Sequence, residues 1–346
     1  MNRGATPCMP MDHDQVAAYL RSRMPHAHDL TVSGLARVGG GASRETWSFN
    51  ARWREDGAGE VEHGFIIRRD PPASLLESNA RLEFDLYTAL KDSAIPVPRV
   101  LWIEPDGAAL ERPFFVMERL PGISDGTGQA LASSPEYTDA RPLVTRQHAE
   151  ILAEIHAFDI GAVASLDRPA SAAESAAHEI ARWERTMRED TLEPQPTFEL
   201  AFSWLKRHLP RPPARLSLVH GDYRTGNFLI DQTGVTGVLD WEMAHAGDPI
   251  EDIGWLCMKS WRLARDERIG GICTRDEFIE LYEHAGGAKV DRDALKFWEV
   301  FSNVKFAIIF ITGTKSIVQG KTADITLALT AFINPSLEIE QLELIA

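Results

Sequence analysis

Short apolar runs separated by polar turns occupy the first third of the chain, and this pattern predicts strands. We expect strands at residues 30–38, 46–53, 64–69, 99–103 and 114–118. A short amphipathic helix at residues 14–23 precedes them. The N-terminal third of the chain is therefore predicted to form a small sheet with a helix at its start.

One further amphipathic helix interrupts the predicted strands. Ser74 and Glu77 form a capping box at its start. Leucines then recur at the spacing of one helix face, at Leu75, Leu82, Leu86 and Leu90. Glu83 lies beside this apolar stripe, where a buried carboxylate would be costly without a partner. Glu83 is therefore a candidate for an ion pair inside the fold.

Longer helical patterns fill the remainder of the chain. We expect helices at residues 142–158, 174–188, 198–208, 274–284, 291–311 and 324–333, with another that begins near Asp248. Strands first and helices afterwards are typical of the α+β class. We divide the chain into an N-terminal lobe, residues 1–119, and a C-terminal lobe, residues 120–346.

The composition is that of an ordinary globular protein, with 44% hydrophobic and 25% charged residues among 346. The net charge of −15 argues against binding to nucleic acid or to an anionic membrane surface. Three scattered cysteines are too few for a disulfide framework or a metal cluster. The N-terminus lacks the apolar core of a signal peptide, and no apolar run approaches the length of a membrane span. We therefore expect a cytoplasmic protein, with its oligomeric state open.

Polar residues around one predicted hairpin point to chemistry. Two apolar runs, residues 228–230 and 235–239, flank a four-residue turn with a glycine and predict the hairpin. Asn227 precedes it and Asp240 follows it, so their side chains can meet at its open end. Two hard oxygen ligands placed together are what Mg²⁺ on phosphates requires. Asp222, on the loop just before, can accept or orient the proton of a substrate hydroxyl.

The spacing of Asp222, Asn227 and Asp240 resembles the catalytic core of protein kinases. The tripeptides HGD at 220–222 and DWE at 240–242 resemble the aminoglycoside phosphotransferase and choline kinase branch, which phosphorylates small-molecule hydroxyls with ATP. The resemblance implies a bilobal protein-kinase-like fold, with an antiparallel sheet lobe that contains one key helix and a larger, mainly helical lobe. It also implies ATP and Mg²⁺ as cofactors, Asp222 as the catalytic base, and Asn227 and Asp240 as metal ligands.

The same resemblance makes residues 1–119 the nucleotide-binding lobe and residues 120–346 the catalytic and substrate-binding lobe. Arg68, where kinases place a lysine, would bind phosphates and pair with Glu83. The glycine-rich loop before the second strand contains Ser43, which matches the phosphate loop of the family, whereas Arg44 replaces its usual asparagine. The adenine would bind the backbone of the hinge at Met117, Glu118 and Arg119.

Three supporting residues are also implied. His220 and Asp252 would brace the loop that carries Asp222. Glu242 would assist the metal through water or form a salt bridge that supports the fold, and the sequence leaves both roles open.

The segment of residues 255–262 is basic and aromatic. Together with two stretches further on, it resembles the subfamily related to the kinase domain fused to acyl-CoA dehydrogenases in animals, and this resemblance covers nearly the whole chain. It implies an anionic or CoA-linked hydroxyl substrate, with candidate contacts at Arg224, Trp261 and Arg262. The alternatives are a solvated helix face and an aminoglycoside or amino alcohol substrate. A nucleotide-binding pseudokinase with a regulatory role is the alternative function, which Arg68 in place of lysine keeps open.

Overall fold

Five antiparallel strands form the sheet that the apolar runs predict. The computed structural model describes residues 11–39, 44–55, 57, 59–71, 80–124, 131, 133–261, 267–322, 328–329 and 331–346. The strands of the sheet are β1 (His28–Val38), β2 (Glu45–Glu55), β3 (Gly59–Arg69), β4 (Val100–Glu104) and β5 (Phe114–Glu118). They pair in the order β1-β2-β3-β5-β4. The central strand β3 therefore places Arg68 in the middle of the sheet.

The two faces of this sheet differ in polarity because side chains alternate along each strand. Trp47, Phe49, Ala51 and Trp53 of β2 are buried in the same apolar cluster as residues of helix α1 (His13–Arg23). Thr46 and Ser48 alternate with them and are half-buried. Thr46 lies opposite Arg68 on β3, so the polar face is the one that carries Arg68.

Helix α2 (Ala80–Leu90) packs against β4, β5 and the turn that follows Asp240. Its stripe of Leu82, Leu86 and Leu90 is buried and joins the large core of the protein, as the leucine spacing predicts. Glu83 is completely buried on the same helix. Residues 72–79 are not among those described, and the predicted capping box at Ser74 and Glu77 therefore lies outside the described part of the chain.

Helices make up most of the second lobe. Those of the described ranges are α3 (Arg141–Ala157), α4 (Ser175–Asp190), α5 (Pro196–Arg207), α6 (Ile250–Leu256), α7 (Arg275–His284), α8 (Arg292–Val318) and α9 (Asn334–Ile345). Small sheets join β6 (Ile123–Ser124), β8 (Phe228–Asp231) and β9 (Gly234–Val238), and β7 (Ser217–Val219) with β10 (His245–Gly247). The α+β class and the two-lobed architecture are confirmed. Within these ranges, no helix combines the length and the apolar character that crossing a membrane requires.

The C-terminal end differs from the prediction. Helix α8 continues to Val318 instead of ending at residue 311, because Thr312 and Lys315 both bond to Asp190 of α4. The chain then forms α9, where the apolar pattern predicts no helix. Asn303 of α8 anchors it by donating to the Leu337 carbonyl at 2.9 Å. Half of the helix predicted at residues 324–333 lies outside the described residues; residues 328–329 are helical, and residues 331–333 form a turn.

Candidate active site

The hairpin β8–β9 brings Asn227 and Asp240 to its open end. Phe228 pairs with Val238, and the Leu239 N–H donates to the Asn227 carbonyl at 2.8 Å. The ladder thus extends one residue beyond the strands, and Asp240 follows it directly. Asp240 adopts a left-handed conformation, with φ 69° and ψ 56°, which among residues other than glycine favours aspartate and asparagine. The chain therefore turns sharply at the residue proposed to bind the metal.

Asp222 lies in the loop that precedes the hairpin, and three side chains hold its carboxylate. Asn227 Nδ2 donates to the Asp222 carbonyl at 2.8 Å and to Oδ2 at 2.7 Å. Trp255 Nε1 donates to Oδ1 at 2.8 Å. Arg224 Nε approaches both oxygens, at 3.1 and 3.3 Å. The side chain of Asp222 is still 14% exposed, so a ligand can reach it.

Asn227 and Asp240 present the hard oxygen atoms expected of a magnesium site. Both partners of the Asn227 amide nitrogen are acceptors, so its Oδ1 is the atom left for a cation. Burial raises the pKa of Asp240, but the adjacent Arg68 outweighs this effect and holds the pKa below its ordinary value. Asp240 is therefore ionised at neutral pH. A carboxylate and an amide oxygen suit Mg²⁺ better than a softer metal.

Arg68 joins the two lobes through its guanidinium group. Its Nη2 lies 3.3 Å from Oε1 of Glu83 and 2.6 Å from Oδ1 of Asp240. The strand–helix ion pair predicted from the kinase resemblance is present. Burial lowers the pKa of Arg68, but Glu83 and Asp240, with a contribution from Glu242, outweigh it and keep the pKa well above its usual range. Arg68 thus remains a charged group between the lobes.

A second arginine, whose role the sequence did not reveal, lies beside Glu83. Arg44 Nε is 3.2 Å from Oε2 of Glu83, and both side chains are fully buried. Arg44 Nη1 also pairs with Asp70. The signal in the sequence is the inward-facing Glu83, because an interior carboxylate needs cationic partners. Ser43 lies outside the described residues, and its predicted phosphate contact stays a prediction.

The loop before the hairpin is held by Asp252, which lies on helix α6. The carboxylate accepts the backbone N–H groups of His220 and Gly221 at 2.8 and 2.9 Å. Nε2 of His156 lies 3.2 Å from the same carboxylate. Burial raises the pKa of Asp252, but His156, together with the side chain and the backbone N–H of His220, outweighs this effect and lowers the pKa. Asp252 is therefore positioned as an ionised brace for this loop.

The His220 ring connects the same loop to the residue before Asp240. Its Nε2–H donates to the Leu239 carbonyl at 3.0 Å, and its Nδ1 accepts the Asp222 N–H at 3.2 Å. This pattern requires a neutral imidazole, and burial lowers the pKa of His220 accordingly. Since both nitrogens are occupied, the ring is suited to bracing and not to proton transfer.

The backbone of the hinge, predicted to bind adenine at Met117, Glu118 and Arg119, is partly used by the sheet. The N–H groups of Glu118 and Arg119 each donate at 2.9 Å to a carbonyl of a neighbouring segment. Within the described parts of the chain, the next N–H group, that of Leu120, donates to no carbonyl or side chain. It is the free donor at the end of the hinge.

The candidate substrate residues lie near Asp222 on the helical lobe. The guanidinium carbon of Arg224 is 4.9 Å from the centre of the Trp261 ring. Trp261 packs in turn against Trp255 and Phe306, with ring centres 5.6 and 4.7 Å away. Arg262 lies outside the described residues. The structure therefore brings Arg224 and Trp261 together beside Asp222 as a cationic and aromatic surface.

A buried charge cluster that the sequence did not reveal lies behind the loop before the hairpin. Lys305 Nζ donates to the Gly221 carbonyl at 2.9 Å and lies 3.1 Å from Oε1 of Glu251. His245 Nε2 is 3.1 Å from Oε2 of Glu251 and 3.9 Å from Oε1 of Glu179. These four side chains are buried. With His245 protonated, two cations balance two carboxylates.

We expect the stability of the protein to fall as the pH rises from about 6.5 to about 9, because of His245. Burial lowers the pKa of His245, but Glu179 and Glu251 outweigh it and raise the pKa to about 9, against about 6.5 in an unfolded chain. The folded state therefore binds the proton more tightly. The contribution of protonated His245 to the free energy of unfolding is fully present below about pH 6.5 and is lost as the pH rises through about 9. This contribution is on the order of 3 kcal/mol.

Thermal melting across this pH range measures the effect. The variant His245→Gln cannot titrate and should show a shallower dependence on pH than the parent protein. His26→Gln, at an exposed histidine, is the matched control and should keep the parent slope. Equal slopes for the parent and His245→Gln would contradict the assignment.

The fold and the cluster of Asp222, Asn227, Asp240 and Arg68 define a kinase-like phosphotransferase class. A model described as the phosphotransferase enzyme family matches residues 37–298 of the chain, which is most of its length. The chain belongs to this family, and the resemblance drawn from its motifs is confirmed.

Solved structures of aminoglycoside phosphotransferases have the same fold. A Ralstonia eutropha protein provisionally assigned as an aminoglycoside phosphotransferase gives a TM-score of 0.72 at 23% identity, covering 97% of this chain and 98% of its own. A thermostable mutant of aminoglycoside phosphotransferase APH(4)-Ia, in ternary complex with AMP-PNP and hygromycin B, gives 0.64 at 16% identity, covering 96% and 97%. At this identity the likeness establishes the fold.

Curated relatives are longer proteins named for a different activity. "Acyl-CoA dehydrogenase family member 10" of Mus musculus is 27% identical over 92% of this chain and 30% of its own length. "Probable acyl-CoA dehydrogenase IBR3" of Arabidopsis thaliana is 28% identical over 82% of this chain and 36% of its own. The chain therefore spans about a third of the length of these relatives.

Proposed function

We propose that this protein is an ATP-dependent kinase that transfers the γ-phosphoryl group to a hydroxyl of a small molecule. The observation that carries the proposal is the convergence of Asp222, Asn227 and Asp240 at one end of the hairpin, with Arg68 of the sheet lobe on Asp240. Membership of the phosphotransferase family supports it, as does the AMP-PNP complex of a protein with the same fold.

In the proposed reaction, Asp222 accepts the proton of the acceptor hydroxyl while the hydroxyl oxygen attacks the γ-phosphorus. The new O–P bond forms as the bond to the β-phosphate oxygen breaks, and ADP leaves with that electron pair. Asn227 and Asp240 would hold Mg²⁺, which neutralises phosphate charge when bound. Arg68, held in place by Glu83, binds phosphate oxygens through its planar guanidinium. Positioning and charge neutralisation thus supply most of the catalysis.

The adenine would be recognised by the end of the hinge. Because the N–H groups of Glu118 and Arg119 are engaged within the sheet, we assign the hydrogen bond to the adenine ring to the Leu120 N–H. A carbonyl group of the hinge would accept a hydrogen bond from its amino group. This moves the donor one residue along the chain from the predicted hinge contacts.

The proposed acceptor is an anionic or CoA-linked hydroxyl compound. Among the described residues, the side chains that hydrogen-bond the Asp222 carboxylate are Arg224, Asn227 and Trp255, and none is acidic. The stacked Arg224 and Trp261 offer a cation and an aromatic face to a substrate. An aminoglycoside or amino alcohol is cationic and would meet Arg224 with like charge. The names of the curated relatives also support a CoA-linked substrate.

A screen of ATP consumption distinguishes these substrates. Purified protein with Mg-ATP would be assayed against hydroxyacyl-CoAs, the corresponding free hydroxy acids, and aminoglycosides. We expect turnover with the CoA-linked or free acids, and a phosphate ester as the product by mass spectrometry. Preference for aminoglycosides would overturn the substrate class, whereas tight Mg-ATP binding without any turnover would favour a pseudokinase.

A further inference from the structure

Trp255 begins the basic and aromatic segment 255–262, but it is not among the candidate site residues, and its indole N–H donates to Oδ1 of Asp222 at 2.8 Å. The side chain is buried, with 2% exposure. It lies on helix α6, which also carries Asp252, so one short helix contacts both the backbone and the carboxylate of the same loop. A phenylalanine would keep an aromatic ring at this position, and only the indole nitrogen accounts for the contact with Asp222.

Lys305 of helix α8 fixes Trp255 and the loop from behind. The residue is 1% exposed, and its Nζ lies 4.9 Å from the centre of the Trp255 ring. The same ammonium donates to the carbonyl of Gly221, the residue directly before Asp222. Burying an ammonium is costly unless it is paired and hydrogen-bonded, and here Glu251 supplies the counter-charge at 3.1 Å. A cation on the indole face also polarises the ring, which strengthens its N–H as a donor.

The four contacts on the Asp222 carboxylate are unequal. Trp255 and Asn227 donate at 2.8 and 2.7 Å from buried positions. Arg224 donates at 3.1 and 3.3 Å, and its side chain is 23% exposed. Each carboxylate oxygen accepts about two hydrogen bonds, so a substrate hydroxyl needs a vacated place. Arg224 is the donor that can leave, while Trp255 and Asn227 hold the carboxylate in orientation.

We propose that Trp255 and Lys305 are positioning residues for phosphoryl transfer, with the Trp255 N–H orienting Asp222 and Lys305 holding both the indole and the Gly221 carbonyl. The inference rests on the proposed function, since it assigns a task to Asp222. It adds two residues, from helices α6 and α8, to a site that the motifs place in the hairpin and its preceding loop.

The first test is Trp255→Phe, which removes the N–H and keeps an aromatic ring. We expect kcat to fall roughly 10-fold or more, as for loss of a hydrogen bond to a charged group, with the KM for ATP changed by less than about 2-fold. Trp298→Phe, at another buried indole, should keep the parent kcat and KM.

A kcat of Trp255→Phe equal to that of the parent would overturn the proposal. So would a loss of kcat of the same size in Trp298→Phe, because that result would indicate a general effect on packing. Thermal melting of both variants identifies the fraction folded, and the rates are compared per folded protein.

A second measurement is independent of turnover. In a ¹H–¹⁵N NMR spectrum, the indole resonance of Trp255, assigned by its absence in Trp255→Phe, should shift upfield when Asp222→Ala removes its acceptor. An unchanged resonance overturns the contact itself. If Asp222→Ala shifts the resonance but the parent protein transfers no phosphate, the result contradicts the proposed function and still supports the contact.

Lys305 is tested by removing its charge together with that of Glu251, so that neither of the two is left unpaired. Lys305→Met combined with Glu251→Gln is compared with the parent protein, with rates per folded protein. We expect kcat to fall by roughly 10-fold at an unchanged KM for ATP, and the Trp255 indole resonance to shift. Equal kcat values in the two proteins would overturn the role of Lys305.

Discussion

Replacing Asp222 with alanine is expected to lower the rate of phosphate transfer by about 10²–10⁴-fold, the range for loss of a general base. Binding of Mg-ATP should persist, because Arg68, Glu83, Asn227 and Asp240 remain. Assays of ADP release with the best acceptor measure the first effect, and calorimetric titration with Mg-ATP measures the second.

The hairpin offers a matched control for this variant. Asp231 lies at the far end of the hairpin, where its carboxylate accepts the Thr233 N–H. Asp231→Ala should therefore keep both nucleotide binding and turnover. Turnover by Asp222→Ala at the rate of the parent protein would show that another group accepts the proton.

Replacing Glu83 with glutamine should have the largest effect on stability. Glu83 is fully buried and faces the guanidinium groups of Arg44 and Arg68. Glutamine keeps the shape but leaves two buried cations with less counter-charge. Breaking a buried pair in this way costs about 3–5 kcal/mol. We expect that loss in the free energy of unfolding, measured by urea denaturation, together with a higher KM for ATP because Arg68 is no longer held.

An exposed ion pair on the same sheet serves as the comparison. Glu62 lies 3.0 Å from Arg52 on the surface of the sheet, where solvent screens the charges. Glu62→Gln should leave the unfolding curve and the KM for ATP close to those of the parent. If Glu83→Gln destabilised the protein no more than Glu62→Gln, the pairing of Glu83 with Arg44 and Arg68 would not contribute to stability.

The hairpin and its three polar residues could be predicted because the relevant pairing is local. Asn227 and Asp240 flank strands that are adjacent in sequence, and strand pairing places them together whatever the rest of the chain does. The leucine stripe of α2 likewise follows from helical spacing. The pairing of Arg68 with Glu83 follows from the resemblance to kinases, and the structure contains that ion pair.

Partners from distant parts of the chain could not be predicted. Lys305 is one of several polar residues in the long helix α8. Nothing in its local sequence indicates that it bonds to the Gly221 carbonyl. Trp255 has the pattern of a core residue, since an indole on a buried helix is ordinary. Arg44 differs from the residue usual in its loop, but its own neighbours in the sequence do not indicate that it pairs with the buried Glu83. In each case the missing information is a tertiary contact.

The C-terminal helix α9 shows the same limit for the fold. Asn334 and Pro335 suggest a turn, and the apolar residues after them lack a clear helical stripe. The helix is stabilised by packing against α5 and α8 and by Asn303. Its existence depends on neighbours that lie far away in the sequence.

The contact between Arg68 and Asp240 has a thermodynamic consequence for the proposed cofactors. Arg68 is the counterion of Asp240, the carboxylate that would bind Mg²⁺. A metal ion alone must displace that arginine, and a phosphate alone must draw it from the carboxylate. When both arrive as Mg-ATP, the metal would become the counter-charge of Asp240 and the phosphates would become the counter-charge of Arg68 at the same time. Linkage then requires metal and nucleotide to strengthen each other's binding by the same factor, so neither half of the cofactor should bind well without the other.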